Sequence, residues 1–338
     1  MADHWKLQLK QLHADLVLRD NPVELVTETD AASASYRFPN VAFRGPLFGL
    51  AAQDPAVGPE WRVVAAVVDG APQTVRDDFN STLWFRARDD TDDPAVRREL
   101  LAAVAVLERE PVDELEVLGV RYRVVRADEF ARTGEDGMEP PRPTDREPAV
   151  PSWKHEGART VDVGHVLSPA MKGIGPMAGA LKLGLRDFSY AGDQFPDEVR
   201  ADSEAAVSTH PGIAMLPVGF RVTERGTRGW RPVGALSATP HDARRGLYEG
   251  MTLAWPLLYG FDEETKAEHL RAAEEFKAKG RANELSVGGS VYRVSRVERL
   301  VRMGPDGPEP PRPSDVDEYG PVKIHPRMDE DGTVHRDE

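Results

Sequence analysis

Tyr122-Arg-Val-Val-Arg-Ala-Asp-Glu-Phe-Ala-Arg-Thr-Gly-Glu-Asp-Gly-Met-Glu-Pro-Pro-Arg-Pro-Thr-Asp145 and Tyr292-Arg-Val-Ser-Arg-Val-Glu-Arg-Leu-Val-Arg-Met-Gly-Pro-Asp-Gly-Pro-Glu-Pro-Pro-Arg-Pro-Ser-Asp315 are two versions of one pattern. Over residues 121–145 and 291–315 they align without a gap at an offset of 170, with 14 identities in 25 positions. Self-similarity at a fixed offset marks a repeated structural unit. The shared frame is Tyr-Arg-Val-x-Arg, then Arg132 or Arg302, then Gly-x-Asp-Gly-x-Glu-Pro-Pro-Arg-Pro-[Thr/Ser]-Asp.

Moving outward, Glu114-Leu115, Val117 and Gly119 match Glu284-Leu285, Val287 and Gly289, and Thr82-Leu83 matches Thr252-Leu253. With one residue of slippage Trp61-Arg62 matches Trp230-Arg231, and with three Leu18-Arg19-Asp20 matches Leu185-Arg186-Asp187. The chain therefore divides into a first unit at 1–148, a linker at 149–180, a second unit at 181–318 and a tail at 319–338. The linker has no counterpart and is rich in Pro, Gly and Ser. The tail is charged and poor in apolar residues, the composition of an unstructured segment.

Periodicity supplies the elements. Val41–Ala52 and Gly212–Glu224 alternate as strands do, as do Trp61–Val68 and Trp230–Ser237, each pair forming a hairpin. Pro196–Ser208 reads as a helix before the second hairpin. Gln73–Ala87 with Pro94–Glu108, and His241–Leu258 with Glu264–Lys279, carry apolar residues at helical spacing. Glu114–Arg126 and Glu284–Arg296 turn at glycine and read as hairpins. The fold class is α+β: a tandem duplication of an α-β-β-α-α-β-β unit with mainly antiparallel sheets. A pseudo-twofold arrangement would place a shared groove between the units.

The proline-dense strap favours polyproline II, whose three residues per turn align Glu139, Arg142 and Asp145, or Glu309, Arg312 and Asp315, along one edge. Such a stripe is either a ligand presented to a partner or a strap tied across its own domain by salt bridges to Arg123 and Arg126, or Arg293 and Arg296. The second reading is favoured, because strap and strand recur together. The candidate ligand-binding residues are Arg123, Arg126, Arg142, Arg293, Arg296 and Arg312, since guanidinium groups grip carboxylates and phosphates in a bidentate way.

Other clusters point to local structure. Asp89, Asp90, Asp92 and Asp93 lack the glycine and distal glutamate of a calcium loop and are placed to cap a helix. Gly173-Ile-Gly-Pro-Met-Ala-Gly179 lacks the strand–turn–helix context of a dinucleotide loop; Ser168-Pro169 reads as a helix start in a small-residue helix or mobile connector. The histidines at 4, 13, 155, 165, 210, 241, 269, 325 and 335 show no zinc-helix spacing, and His241 beside Asp242 is the best acid/base candidate. No metal and no cofactor is indicated.

A chain of 338 residues with 40% hydrophobic and 30% charged side chains can build two ordinary cores. A net charge of −14 opposes binding to a phosphate backbone, so nucleic acid is not an expected partner. No apolar run approaches the roughly 20 residues of a membrane span, and none resembles a signal peptide, which leaves a cytoplasmic location as the expectation. Zero cysteines exclude thiolate chemistry. Arginine outnumbers lysine 34 to 9, the bias of a GC-rich genome.

The run Tyr292 to Asp315 resembles an actinobacterial family known as domain of unknown function 5954. The resemblance covers most of the chain, and the first strap departs from it at Met138 and Thr144. It implies a cytosolic actinobacterial origin and brings no catalytic residue. The expected function is a non-catalytic binding or adaptor platform for a protein or small ligand. The alternative is an enzyme acting on a small anionic metabolite between the units, with Arg123 and Arg293 as anion clamps.

Overall fold

The computed structural model describes residues 22–154, 161–171, 173–227 and 229–335. The Leu18–Asp20 match and the histidines at 4, 13 and 155 lie outside the described residues. Helix α1 (Pro22–Arg37) leads into strands β1 (Asn40–Gln53) and β2 (Trp61–Asp69), helices α2 (Pro72–Asp89) and α3 (Pro94–Leu107), and strands β3 (Glu114–Val117), β4 (Val120–Gly134) and β5 (Gly137–Met138). The connection holds β6 (Val166–Leu167) and α4 (Pro176–Leu185). Then come α5 (Asp197–Thr209), β7 (Gly212–Met215), β8 (Gly219–Gly226), β9 (Gly229–Pro232), α6 (Pro240–Glu249), a π turn at Gly250–Ala254, α7 (Trp255–Leu258), α8 (Glu263–Lys279), β10 (Glu284–Val287), β11 (Ser290–Gly304) and β12 (Gly307–Pro308). A hairpin of β13 (Arg327–Met328) and β14 (Val334–His335) follows.

Alternation along the strands builds the core. On β4, Tyr122 and Val124 face α2 and α3 and pack with Phe79, Leu83, Leu100 and Leu107, while Val125 and Ala127 face the other way, against Trp61, Val63 and Val67. In the second half Val222, Leu285 and Tyr292 meet Leu247, Met251 and Phe276 from α6, the π turn and α8. Two separate cores joined by a linker were expected. Instead, strands of both halves share one sheet in the order β6-β2-β1-β4-β11-β8-β9, and Val301 and Met303 lie in the same apolar cluster as Leu47 and Val67.

The join is symmetric in number. Strands β4 and β11, 15 residues each, pair antiparallel at Phe130–Glu298, Glu129–Arg299 and Asp128–Leu300, a register centred on two positions 170 apart. Beyond these pairs the backbones of β4 and β11 need other partners, since a buried amide left unpaired is costly. The straps provide them. Glu139 donates its N–H to Arg132 O (2.9 Å) and accepts at its carbonyl from Arg296 N (2.8 Å); Glu309 donates to Arg302 O (2.9 Å) and accepts from Arg126 N (3.0 Å). Each glutamate is the last residue before Pro-Pro that can donate, so its peptide groups bridge the two central strands before the chain leaves the sheet.

This corrects the expectation of a strap tied across its own domain. Arg126 pairs with Asp315 (2.9 Å) and Arg296 with Asp145 (3.3 Å), so each strap is held by the strand of the other half. The physical reason is the antiparallel β4–β11 pairing. It brings the returning end of each long hairpin alongside the neighbouring strand, where the freed amides are.

Smaller differences have local causes. The strand expected over Gly212–Glu224 breaks into β7 and β8 because Pro217 has no N–H for the ladder; Leu216 N and Pro217 O are both bonded to Arg299. The helix expected from Ser168 starts at Pro176 after Gly175, and Glu28 of α1 accepts from Met177 N at 2.9 Å. The Ser168 hydroxyl accepts from Ala170 N instead. The tail read as unstructured places Met328 in the core under α2 and α3, Trp84 Nε1 donates to Pro326 O, and Arg97 Nη1 donates to Glu330 O. Its charges and carbonyls have specific partners, which composition does not reveal.

Candidate functional site

Helix caps and core contacts account for several of the sequence candidates. Asp93 and Asp262 accept from Ala95 N and Thr265 N at the starts of α3 and α8. His241 is buried, its Nε2 2.9 Å from Ser152 O and its ring edge-on to Trp153, so it secures the connecting segment rather than facing a cleft.

Four of the six candidate arginines are held by acids of the protein itself, with Arg312 Nη1 buried and unbonded among the described residues. Arg123 lies 4.9 Å over the Trp61 ring, pairs with Glu114 and Asp306, and donates to the carbonyls of Asp306 and Pro308. Arg293 repeats this over Trp230 (4.7 Å), with Glu284 and the carbonyls of Asp136 and Met138. The rings close over Gly307 and Gly137, whose φ values of +122° and +93° suit glycine. Arg126 is enclosed by Asp128 (2.7 Å) and Asp315, and Arg312 is forked onto Glu309. These groups close turns and straps, and the anion clamp expected of Arg123 and Arg293 is filled by carboxylates of the chain.

Arg142 and Arg296 differ. They border a cavity of about 230 Å³ beneath α1 and α4, which Arg132 of β4 and Glu298 of β11 complete. Its apolar walls include Met177 and Leu181 from α4 and Met215 and Leu216 from the β7 end. Arg296 is bonded to Glu298 and Asp145; burial alone would lower its pKa, but Glu298 and Asp145 outweigh it and hold the cation. Arg142 Nε donates to Glu139 at 2.5 Å. Arg132 has no side-chain hydrogen bond or ion pair among the described residues, and its Nε is buried without a partner.

A second, filled site lies across the β4–β11 crossing. Arg302, shifted by 170 from Arg132, donates through Nη1 to Arg186 O (3.2 Å) and through Nη2 to Phe188 O. Asp128, shifted by 170 from Glu298, accepts from the Tyr190 hydroxyl at 2.6 Å. Tyr190 N donates to Ser203 Oγ, and the Phe188 ring stacks on Phe43 at 3.6 Å. Burial would raise the Asp128 carboxyl, yet Arg126, Arg312 and the Tyr190 hydroxyl hold it below the usual carboxylate range. Burial and Asp128 together push the Tyr190 phenol up.

Sequence reasoning missed Arg132 and Glu298. Arg132 stands in the shared frame, yet nothing in its spacing distinguishes it from the paired arginines.

Fold and site define a mixed α+β protein on an antiparallel sheet, with an arginine-lined cavity where its halves meet. The chain belongs to the Family of unknown function (DUF5954), whose model matches residues 21–318. No curated protein and no solved structure matches it. Among the described residues no helix is long and apolar enough to cross a membrane.

Proposed function

We propose that the protein binds a small organic anion in the cavity bounded by Arg132, Arg142, Arg296 and Glu298, and that its two halves are a tandem duplication about a pseudo-twofold axis. The duplication is supported by contacts that recur with both partners shifted by 170, such as Arg126 N to Glu309 O and Arg296 N to Glu139 O.

One observation carries the binding reading: the guanidinium of Arg132 faces a cavity with no partner among the described residues. A buried polar group without a hydrogen bond costs free energy, and native structures keep few of them. Arg221, Arg299 and Arg302 also have an unbonded Nε, but each donates through both Nη atoms. The other ions at the cavity are paired within the chain, Arg296 with Glu298 and Arg142 with Glu139. Glu28, which also lines the cavity, accepts from the backbone at Met177 N, so Arg132 is the lining guanidinium that no side chain holds among the described residues, and an anion would bind there.

Isothermal titration calorimetry with phenylacetate, whose carboxylate suits Arg132 and whose ring suits Met177, Leu181 and Met215, tests this. Saturable binding that Arg132→Ala abolishes is the expected result. Absence of binding, or equal binding by Arg132→Ala, refutes the reading.

A further inference from the structure

The connecting segment adds a short strand, β6, to one end of the sheet. Leu167 pairs with Trp61 of β2, Gly164 N donates to Val63 O (2.8 Å), and Val63 N donates to His165 O (2.9 Å). Leu167 is buried in one apolar cluster with Trp61, Val63 and Ala214, and Asp162 of the same segment meets Arg299. The other end of the sheet is β9. Trp230 stands there where Trp61 does, each facing its arginine. Pro232 stands where Val63 does: Thr223 pairs with Pro232 and Arg293 as Ala51 pairs with Val63 and Arg123.

No strand pairs with the outer side of β9 among the described residues, and Arg231 and Pro232 are exposed. Val233 N donates to Val222 O (2.8 Å), so by antiparallel alternation the N–H and C=O of Trp230 and the C=O of Pro232 point away from β8. Beside them lies a cavity of about 100 Å³ walled by Trp230, Pro232, Phe43, Met138 and Val297, with Ala42 in the place of Ala214. Its volume is below the roughly 150 Å³ of a cavity that takes benzene and suits an aliphatic side chain. Its acid, Glu129, accepts from Arg221 (2.8 Å) and faces Arg44 (3.4 Å), so the cavity asks for no charge.

The counterpart of the covering segment is engaged elsewhere. Linker and tail start alike, with Glu147 on Arg244 and Asp317 on Arg76, and His165 matches His335 at the offset of 170. In the tail, however, Val334 and His335 pair with Met328 and Arg327, and Met328 packs in the core under α2 and α3 with Val124 of β4. From β4 to β9 is three strands, about 14 Å at the usual spacing, which exceeds the reach of about 11 Å of residues 336–338. We propose that β9 is a docking edge for an extended protein segment, which adds a strand to the sheet and places a leucine-sized apolar side chain in the cavity as β6 places Leu167. Pro232 has no N–H to give, so this edge offers one bond fewer than β2 and depends on the anchoring side chain, which keeps it from pairing with any strand at hand.

Calorimetry of the full chain with a capped peptide of Val161–Ser168 carrying Asp162→Asn tests this. The asparagine is needed because Glu129 occupies the place of Arg299, the partner of Asp162. Saturable binding that slows amide hydrogen exchange at residues 229–232 is the expected result. Leu167→Ala in the peptide should weaken Kd about tenfold or more, since the anchor is what the cavity buries. Methylating the peptide's Leu167 amide nitrogen, which removes its bond to the Trp230 carbonyl, should abolish binding. No saturable binding overturns the proposal, as does binding that leaves exchange at 229–232 unchanged. Equal Kd values for the Leu167 peptide and either altered peptide also overturn it. Every comparison uses the natural chain, so no outcome turns on whether a variant folds.

Discussion

Replacing Asp128 by Asn keeps the side chain's shape and removes its charge at the place where the two halves cross. The carboxylate is 1% exposed. Its Oδ1 accepts from Arg126 Nη1 (2.7 Å) and the Tyr190 hydroxyl (2.6 Å), and its Oδ2 lies 3.9 Å from Arg312. The variant leaves two buried guanidinium groups with Asp315 and Glu309 as their remaining close acids. Removing one partner of a buried ion pair costs about 3–5 kcal/mol, a large part of the roughly 5–15 kcal/mol that holds a typical domain. Glu298→Gln should cost less than half as much, because Glu298 borders the cavity and holds Arg296 without a tyrosine.

Equilibrium urea unfolding followed by circular dichroism at pH 7 measures both. The pH dependence has a definite sign. The folded state lowers the Asp128 pKa, so the unfolded chain binds more protons below about pH 4, and the stabilisation disappears as pH falls through that window. The difference between the natural chain and Asp128→Asn should therefore shrink on acidification below about pH 4. A difference under about 1 kcal/mol at pH 7, or one that grows on acidification, would refute the account of this crossing.

Lys182 on α4 donates to Ala170 O (2.9 Å), and burial lowers its pKa to about 8. The unfolded chain then binds more protons between about pH 8 and 10.4, so stability relative to Lys182→Met should rise with pH across that range in thermal melts; a flat difference would contradict it. Met328→Ala should destabilise the chain by about 2–5 kcal/mol in urea, since Met328 packs in the core under α2 and α3. A change within 0.5 kcal/mol, the size of a typical surface substitution, would mean that the tail does not pack there.

Much of the fold is legible along the chain because its signals are local. The turn glycines at Leu118-Gly119 and Gly288-Gly289, the Asp93 and Asp262 caps, and the two-residue period of Tyr122, Val124 and Val125 each rest on neighbours a few positions away. Pro217 is just as local, but the strong alternation on either side masks its interruption between β7 and β8. The tail misled for the opposite reason. Its one core residue, Met328, gains meaning only against Trp84 and Leu100, far off in sequence.

The site divides in the same way. Six arginines of the shared frame were visible as candidates, yet four are consumed by acids and carbonyls that a linear reading does not bring near them. Arg123 meets Asp306 and Arg293 meets Asp136 only because β4 and β11 run antiparallel at the centre of one sheet.

By itself the sequence determined the class of the elements, their order and the offset of 170, because helix, strand and turn preferences and internal similarity are carried by adjacent residues. Tertiary structure alone decided that the straps exchange partners and that Arg132 has none among the described residues. Both follow from two strands that pair over a short register and then part, leaving gaps beside Arg302 and Arg132, of which Arg186 and Phe188 reach the first.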